Sequence, residues 1–254
     1  SIEIAMKAES AIELLRSNSY DVILSDYNLG NGKDGQQLLE EARHSHLIPN
    51  TSTYLMVTAE TSTEMVMGAI EYVPDGYITK PFSQAVLERR LLKLIKNKEQ
   101  LLEVNKALDA NDYEKAVSEA RKVADSKPAL AGRCHRIIGD ALMNLEKYQE
   151  ALELFKTCRK ESRMPWAAFG EAKCHYYLNN IDKSESKFRQ LTLENKFFVS
   201  AYDWLAKTLV NKLIAPTHFS HPDGLFQSSF VPNQSLLVIT SARHYTQRYL
   251  FDSP

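Results

Sequence analysis

Apolar residues along the first third of the chain fall into short continuous runs separated by stretches of helical spacing. Asp21-Val-Ile-Leu-Ser-Asp26, Thr53-Tyr-Leu-Met-Val-Thr58 and Gly76-Tyr-Ile-Thr-Lys80 each end in a polar residue, the pattern of strands buried on both faces of a parallel sheet. Ile2 and Ile4 alternate as a further strand, Ala11, Leu14 and Leu15 mark a helix, and stretches near 35–45 and 61–71 read as helices too. Strands alternating with helices predict an α/β fold over residues 1–96. In an open α/β sheet, ligands bind beyond the carboxyl ends of the strands. Asp26, Thr58 and Lys80 are therefore expected to meet at one rim.

The pattern changes after the sheet. Val86, Leu87, Leu91, Leu94 and Ile95 stand at helical spacing in a helix expected from about Ser83 to Lys98, which runs on without Gly or Pro as a stiff connection. From residue 97 the periodicity is purely helical. Aligning Tyr113-Glu-Lys-Ala116 with Tyr148-Gln-Glu-Ala151 exposes an internal period of 35 residues, the mark of a repeat architecture. The units are drawn at about 97–131, 132–164 and 165–198 with a partial fourth at 199–213, the first closing at Pro128. Small residues at repeating positions let paired helices approach closely, and aromatics and Leu fill the space between them.

Residues 214–254 break this pattern again, with no Lys or Glu and with Pro216, Pro222, Pro232 and Pro254. Ser235-Leu-Leu-Val-Ile-Thr240 reads as a strand, whereas a solenoid ends in a polar capping helix. A shifted reading frame or a vector-derived end is the expectation for this tail, removed if the native locus carries the same codons in frame.

Composition narrows the classes of function. Thirty-one Lys and Arg against 32 Asp and Glu leave a formal charge of −1, so no global positive field attracts nucleic acid or anionic lipid. Neither is expected as a partner. No apolar run reaches the roughly 18 residues of a membrane span. The three cysteines form no CxxC pair, and with no apolar leader a reducing cytoplasm is the expected location. The chain opens on Ser1 rather than Met, which is read as a fragment, a trimmed start or a processed start.

A carboxylate, a hydroxyl and an ammonium on three strand ends are the minimum set for holding a phosphoryl group on Asp. The carboxylate is the nucleophile, Mg²⁺ bridges it to the incoming oxygens, Lys neutralises one oxygen and Thr donates to another. The product carries about two negative charges, and these recruit the Thr and Lys groups only after transfer, so the loops that carry them follow the chemical state. No His or Glu base accompanies these motifs, and a stand-alone hydrolase is not expected.

At this point the residues carry a resemblance. Segment 1–96 resembles the CheY-like receiver domain of bacterial response regulators: Asp26 at the phosphoacceptor position, Asp34-Gly35 in the loop before the following helix, Thr58-Ala59 at the switch hydroxyl, Tyr77 at the rotating aromatic and Lys80-Pro81-Phe82 at the family's Lys-Pro-Phe. The loop Asn28-Leu-Gly-Asn-Gly-Lys-Asp-Gly35 departs from the usual Met-Pro form. The resemblance implies a flavodoxin-like parallel sheet, phosphorylation by a histidine kinase or phosphotransfer protein, and Mg²⁺ held by Asp26, the Asn28 carbonyl and an acidic pair at the end of a first strand. The chain here opens at what resembles the second strand, so the receiver is expected to be incomplete at its N-terminus. Metal binding is then expected in the full-length parent and weak or absent in this chain, and exposed strand edges are expected to promote self-association.

Residues 97–213 resemble tetratricopeptide repeats, with Tyr113, Ala116, Pro128, Gly139, Tyr148, Ala151 and Phe155 on the pattern and His135 in place of the motif's first tryptophan. That family stacks helix pairs into a superhelix whose concave face binds peptides or proteins, and Asn111, Arg133, Arg136, Asn144, Lys173 and Asn180 are candidates to line it. Together the segments suggest a non-enzymatic response regulator with a protein-docking output. The alternative is a constitutive adaptor whose receiver has decayed. His44 and His46, the three cysteines, and His218, His221 and His244 lack the spacing of a metal or redox site.

Overall fold

The computed structural model describes residues 2–59, 73–162, 164–196 and 198–214. Its first part is a parallel sheet ordered β1 (Val22–Asp26), β2 (Thr53–Thr58), β3 (Gly76–Thr79). β2 is buried along its whole length, which is why its run is continuously apolar. Tyr54 and Met56 face a layer made by α1 (Ala8–Ser17) and α2 (Gly35–His44), where Ile12, Leu15, Leu38, Leu39 and Ile48 fill the core. Leu55 and Val57 point the other way and pack with Ile78 against Leu94, Leu91 and Leu87 of α3 (Gln84–Gln100). The alternation of two apolar faces along one strand is the physical content of the buried-strand pattern.

Residues 2–5 do not form the strand expected from Ile2 and Ile4. They are irregular, with Ile2 and Ile4 93% and 80% exposed. A strand in that position needs a neighbour to bond to, and among the described residues no strand lies beyond the outer edge of β1. The helix expected near 61–71 and the strand at 235–240 lie outside the described residues.

After Ser83, whose hydroxyl accepts from the Val86 amide and caps the helix, α3 runs to Gln100 and is followed by α4 (Leu102–Asp109), α5 (Tyr113–Ser126), α6 (Pro128–Asn144), α7 (Tyr148–Ser162), α8 (Pro165–Tyr177), α9 (Ile181–Glu194) and α10 (Val199–Ile214). Three hairpin turns repeat one geometry. Asn111, Glu146 and Asn179 have left-handed φ of 55°, 58° and 58°, spaced 35 and 33 residues apart. The following amides, Asp112, Lys147 and Asn180, donate to Ala107, Leu142 and His175 carbonyls at 2.8–2.9 Å, the paired bonds of a Schellman helix end. Pro128 and Pro165 stand in the first turn of α6 and α8, where a missing N–H costs nothing. Pro128 thus opens a helix instead of closing a unit.

Phe155 of α7 wedges between α6 and α8. A Cβ built at Gly139 or Gly170 would lie 2.5 Å from its ring, so both positions take the one residue that lets the helices close on it. Among the described residues no helix is long and apolar enough to cross a membrane.

The sheet and the helices meet at the amino-terminal edge of the strands. Asp75, just before β3, accepts from the Tyr54 amide at 2.9 Å and pairs with Lys98 of α3 at 3.0 Å and with Arg133 of α6. Lys98 also donates to the Asn50 carbonyl at 2.6 Å. Asp109, the last residue of α4, accepts from the Asn50 amide at 2.6 Å and its side-chain Nδ2 at 2.8 Å.

Candidate functional site

The three strand ends are brought into register by the ladder. Asp26 faces Val57, and Thr58 faces Thr79, so Asp26, Thr58 and Lys80 leave the sheet at the same rim. The chain continues the ladder one step past each strand: the Tyr27 amide donates to Val57 at 2.7 Å and the Lys80 amide to Thr58 at 2.8 Å. Lys80 reaches across and its ammonium donates directly to Asp26 Oδ2. The pair is partly solvated, with the Asp26 side chain 35% and that of Lys80 45% exposed, so the carboxylate is reachable from solution. Thr58 is buried at the same rim. The Lys80–Pro81 peptide is cis.

The loop after β1 shapes the rim. The Asn28 amide donates to Asp26 Oδ1 at 3.2 Å, and its side-chain Oδ1 accepts from the Gly30 amide at 3.0 Å. Asp34 and Gln37 form a reciprocal capping box that starts α2. Gly35, the first residue of that helix, passes so close to β1 that a Cβ would lie 2.2 Å from the Asp26 carbonyl. Its own carbonyl accepts from the Tyr54 hydroxyl at 3.0 Å. Tyr77 lies half-buried on β3 against the α1/α2 layer, and burial, with the nearby Tyr27, pushes its hydroxyl up to about 12.

The donors fit Mg²⁺ poorly. That ion takes oxygen ligands in near-octahedral array and uses one or two carboxylates plus waters. Asp26 is the carboxylate that the described strand ends bring to this rim, and one of its oxygens is held by Lys80 and the other by the Asn28 amide. Among the described residues no three His, Cys, Asp or Glu side chains cluster as a metal site.

The residues expected to line the groove each make local contacts. Arg133 pairs with Asp75 at the junction, Asn111 occupies a left-handed turn and Asn180 precedes α9. Arg136 and Asn144 both reach Asp140 of their own helix, and Lys173 lies over the rings of Phe169 and Trp204 at 5.5 and 5.1 Å. His44 ends α2 and His46 has a left-handed φ. All three cysteines are buried thiols, Cys174 pushed up to about 12 by burial. The junction carboxylates Asp75 and Asp109 gave no sequence signal, since an isolated acid in a loop or at a helix end reads as solvated.

Residues 1–96 match the response regulator receiver domain family. Chemotaxis protein CheY-3 of Vibrio cholerae serotype O1 is 32% identical over 85 residues, 34% of this chain and 64% of that protein. Chemotaxis protein CheY of Pseudomonas aeruginosa is 31% identical over 85 residues, 34% of this chain and 67% of that protein. The solved receiver domain of the Francisella response regulator 1452 is 30% identical, with 37% of this chain and 75% of that one covered and a TM-score of 0.33. The chain thus spans 64% of the length of the first of these relatives. Through residues 1–96, the chain belongs to the CheY-like response regulator receiver family of two-component signalling.

Proposed function

We propose that this chain carries the receiver and output segments of a response regulator in which Asp26 accepts a phosphoryl group from a sensor histidine kinase or phosphotransfer protein. An Asp26 carboxylate oxygen attacks phosphorus, the phosphorus–nitrogen bond of the donor phosphohistidine breaks, and the imidazole leaves with the electron pair. Lys80 neutralises one phosphoryl oxygen as a point charge, and the Thr58 hydroxyl donates to another. The observation that carries this reading is the Lys80 ammonium on the Asp26 carboxylate at a rim shared with Thr58.

The output we assign to the helical hairpins at 97–213, read as tetratricopeptide-like repeats that dock a protein ligand. Their support is the thrice-repeated left-handed turn and the small residues Ala116, Ala151 and Ser184, each fully buried one turn into the second helix of its hairpin. The alternative is a constitutive adaptor with an unphosphorylated receiver.

Labelling with acetyl phosphate decides the first claim. Asp26→Asn is expected to abolish the alkali- and hydroxylamine-labile label while leaving the melting temperature within a few degrees; a variant labelled like the wild type removes Asp26 as acceptor. A chain that acetyl phosphate does not label, and whose partner affinity beryllofluoride leaves unchanged, selects the constitutive adaptor. The receiver edge at β1, with Leu24 46% exposed, is proposed as a site of self-association, read by a concentration-dependent mass in solution.

A further inference from the structure

The repeated turns put the helical hairpins in register and allow two successive grooves to be compared position by position. The first lies between α5 and α7 over α6, and Arg121, Ala124, Ile138, Leu142, Glu150 and Leu154 line it. Its floor, Ile138 and Leu142, is apolar and buried, and the Arg121–Glu150 ion pair at 2.6 Å bridges its mouth. Counted from the left-handed turn residues, the equivalent positions in the groove between α7 and α9 over α8 are Lys156, Arg159, Glu171, His175, Lys183 and Lys187.

Two changes follow. On the floor, apolar residues give way to buried polar ones. Glu171, 3% exposed, pairs with Arg159 of α7 at 3.1 Å and with Lys187 of α9 at 2.8 Å. His175, 5% exposed, leaves its Nδ1 buried without a hydrogen bond, a group that costs free energy until it is partnered. At the mouth, the Arg121–Glu150 bridge is replaced by Lys156 opposite Lys183, two like charges that cannot bridge. Lys156 retains only Glu153 of its own helix, at 2.9 Å, and Lys183 has no hydrogen bond or ion pair among the described residues. The Lys156, Lys183 and Lys187 charges all act on His175, so the imidazole and the lysines share one space.

We propose that the groove between α7 and α9 is a docking site for an acidic peptide segment of a partner protein, a side-chain carboxylate seating between Lys156 and Lys183. In the first groove the chain supplies that carboxylate itself, as Glu150. In the second the same place is open, and the partner supplies it. Four cations against Glu171 and Glu153 make this a local positive patch on a chain of formal charge −1, which favours acidic partners through charge complementarity.

The test is fluorescence anisotropy of the whole chain with a fluorescein-labelled hexaglutamate peptide, at moderate salt and again at high salt. Binding that weakens with salt is expected, and Lys156→Gln with Lys183→Gln is expected to weaken it roughly tenfold. Lys183→Glu restores the repeat's own bridge to Lys156 and is expected to abolish binding without lowering the melting temperature. Lys93→Gln, on the exposed face of α3, controls for net charge and is expected to bind as the wild type does. Hexaglutamate binding that survives Lys183→Glu, or that falls equally in Lys93→Gln, overturns the site. An oligothymidylate of equal charge that binds as tightly overturns the assignment to an acidic peptide.

Discussion

Gly35 ties the start of α2 to the end of the strand that carries Asp26. Its place is fixed by three neighbours: its amide donates to the Tyr27 carbonyl at 2.8 Å, its carbonyl accepts from the Tyr54 hydroxyl, and its Cα faces the Asp26 carbonyl across a gap too small for a methyl group. Gly35→Ala pushes its Cβ against the Asp26 backbone carbonyl, which no rotamer change relieves. A destabilisation of roughly 1–3 kcal/mol is expected, of the order seen for overpacking, together with slower labelling of Asp26. Urea unfolding measures the first, and a variant as stable as the wild type contradicts the argument. His175 makes the second prediction at this scale. Burial, then the Lys187 charge, holds its pKa below the ordinary 6.5. A base with a depressed folded pKa contributes stability above its unfolded value and loses it as pH falls through the folded one. Melting temperature is therefore expected to fall more steeply with acidification below about pH 6.5 in the wild type than in His175→Leu, which places there the residue found at the matching position 142. Parallel melting curves for the two proteins across that range contradict a buried neutral imidazole.

Each kind of element was legible in the sequence to the degree that its signal was local. β2 announced itself because both of its faces are covered, so no polar residue interrupts it. The helical hairpins were readable from Tyr113 and Tyr148 because these residues begin the second helix of successive hairpins. The turn residues that fix the register were not readable, since Asn111, Glu146 and Asn179 share a φ rather than a residue type. The strand expected at residues 2–5 failed for the opposite reason. Alternation of Ile2 and Ile4 is a local cue, whereas a strand exists only through its neighbour. At the rim, Asp26, Thr58 and Lys80 were legible because a parallel ladder delivers consecutive strand ends to one place. The pairing of Arg133 was not readable because its partner Asp75 lies 58 residues away in the loop before β3, a separation across which spacing carries no information.

At the scale of the whole molecule, the junction determines whether the sheet and the helices behave as one body. Asp75 and Lys98 are only 5% and 8% exposed at their side chains, and their charges offset one another at a place where water does not. Arg133 joins from α6 and Asp109 from α4, so four elements on both sides of the α3 connection share one polar network. The chain's two tryptophans, Trp166 and Trp204, lie on α8 and α10, so their fluorescence reports the helices alone, while hydrogen exchange at the buried β2 amides reports the sheet. In the wild type the two probes are expected to give one coincident urea transition. Asp75→Asn removes the charge that offsets Lys98, at a cost of roughly 3–5 kcal/mol for breaking one side of a buried ion pair. Because Asp75 also holds the Tyr54 amide, the sheet bears most of that loss, and its transition is expected to move to lower urea ahead of the tryptophan signal. Asp109→Ala breaks the clamp on Asn50 and Thr51 and is expected to separate the two transitions with a smaller shift of either. Probes that already separate in the wild type, or that stay together in Asp75→Asn, mean that the network does not couple the halves. Transitions that coincide in the wild type and separate in Asp75→Asn make this edge the route by which a change at the opposite rim reaches the helices, because β3 is the short strand between Asp75 and Lys80.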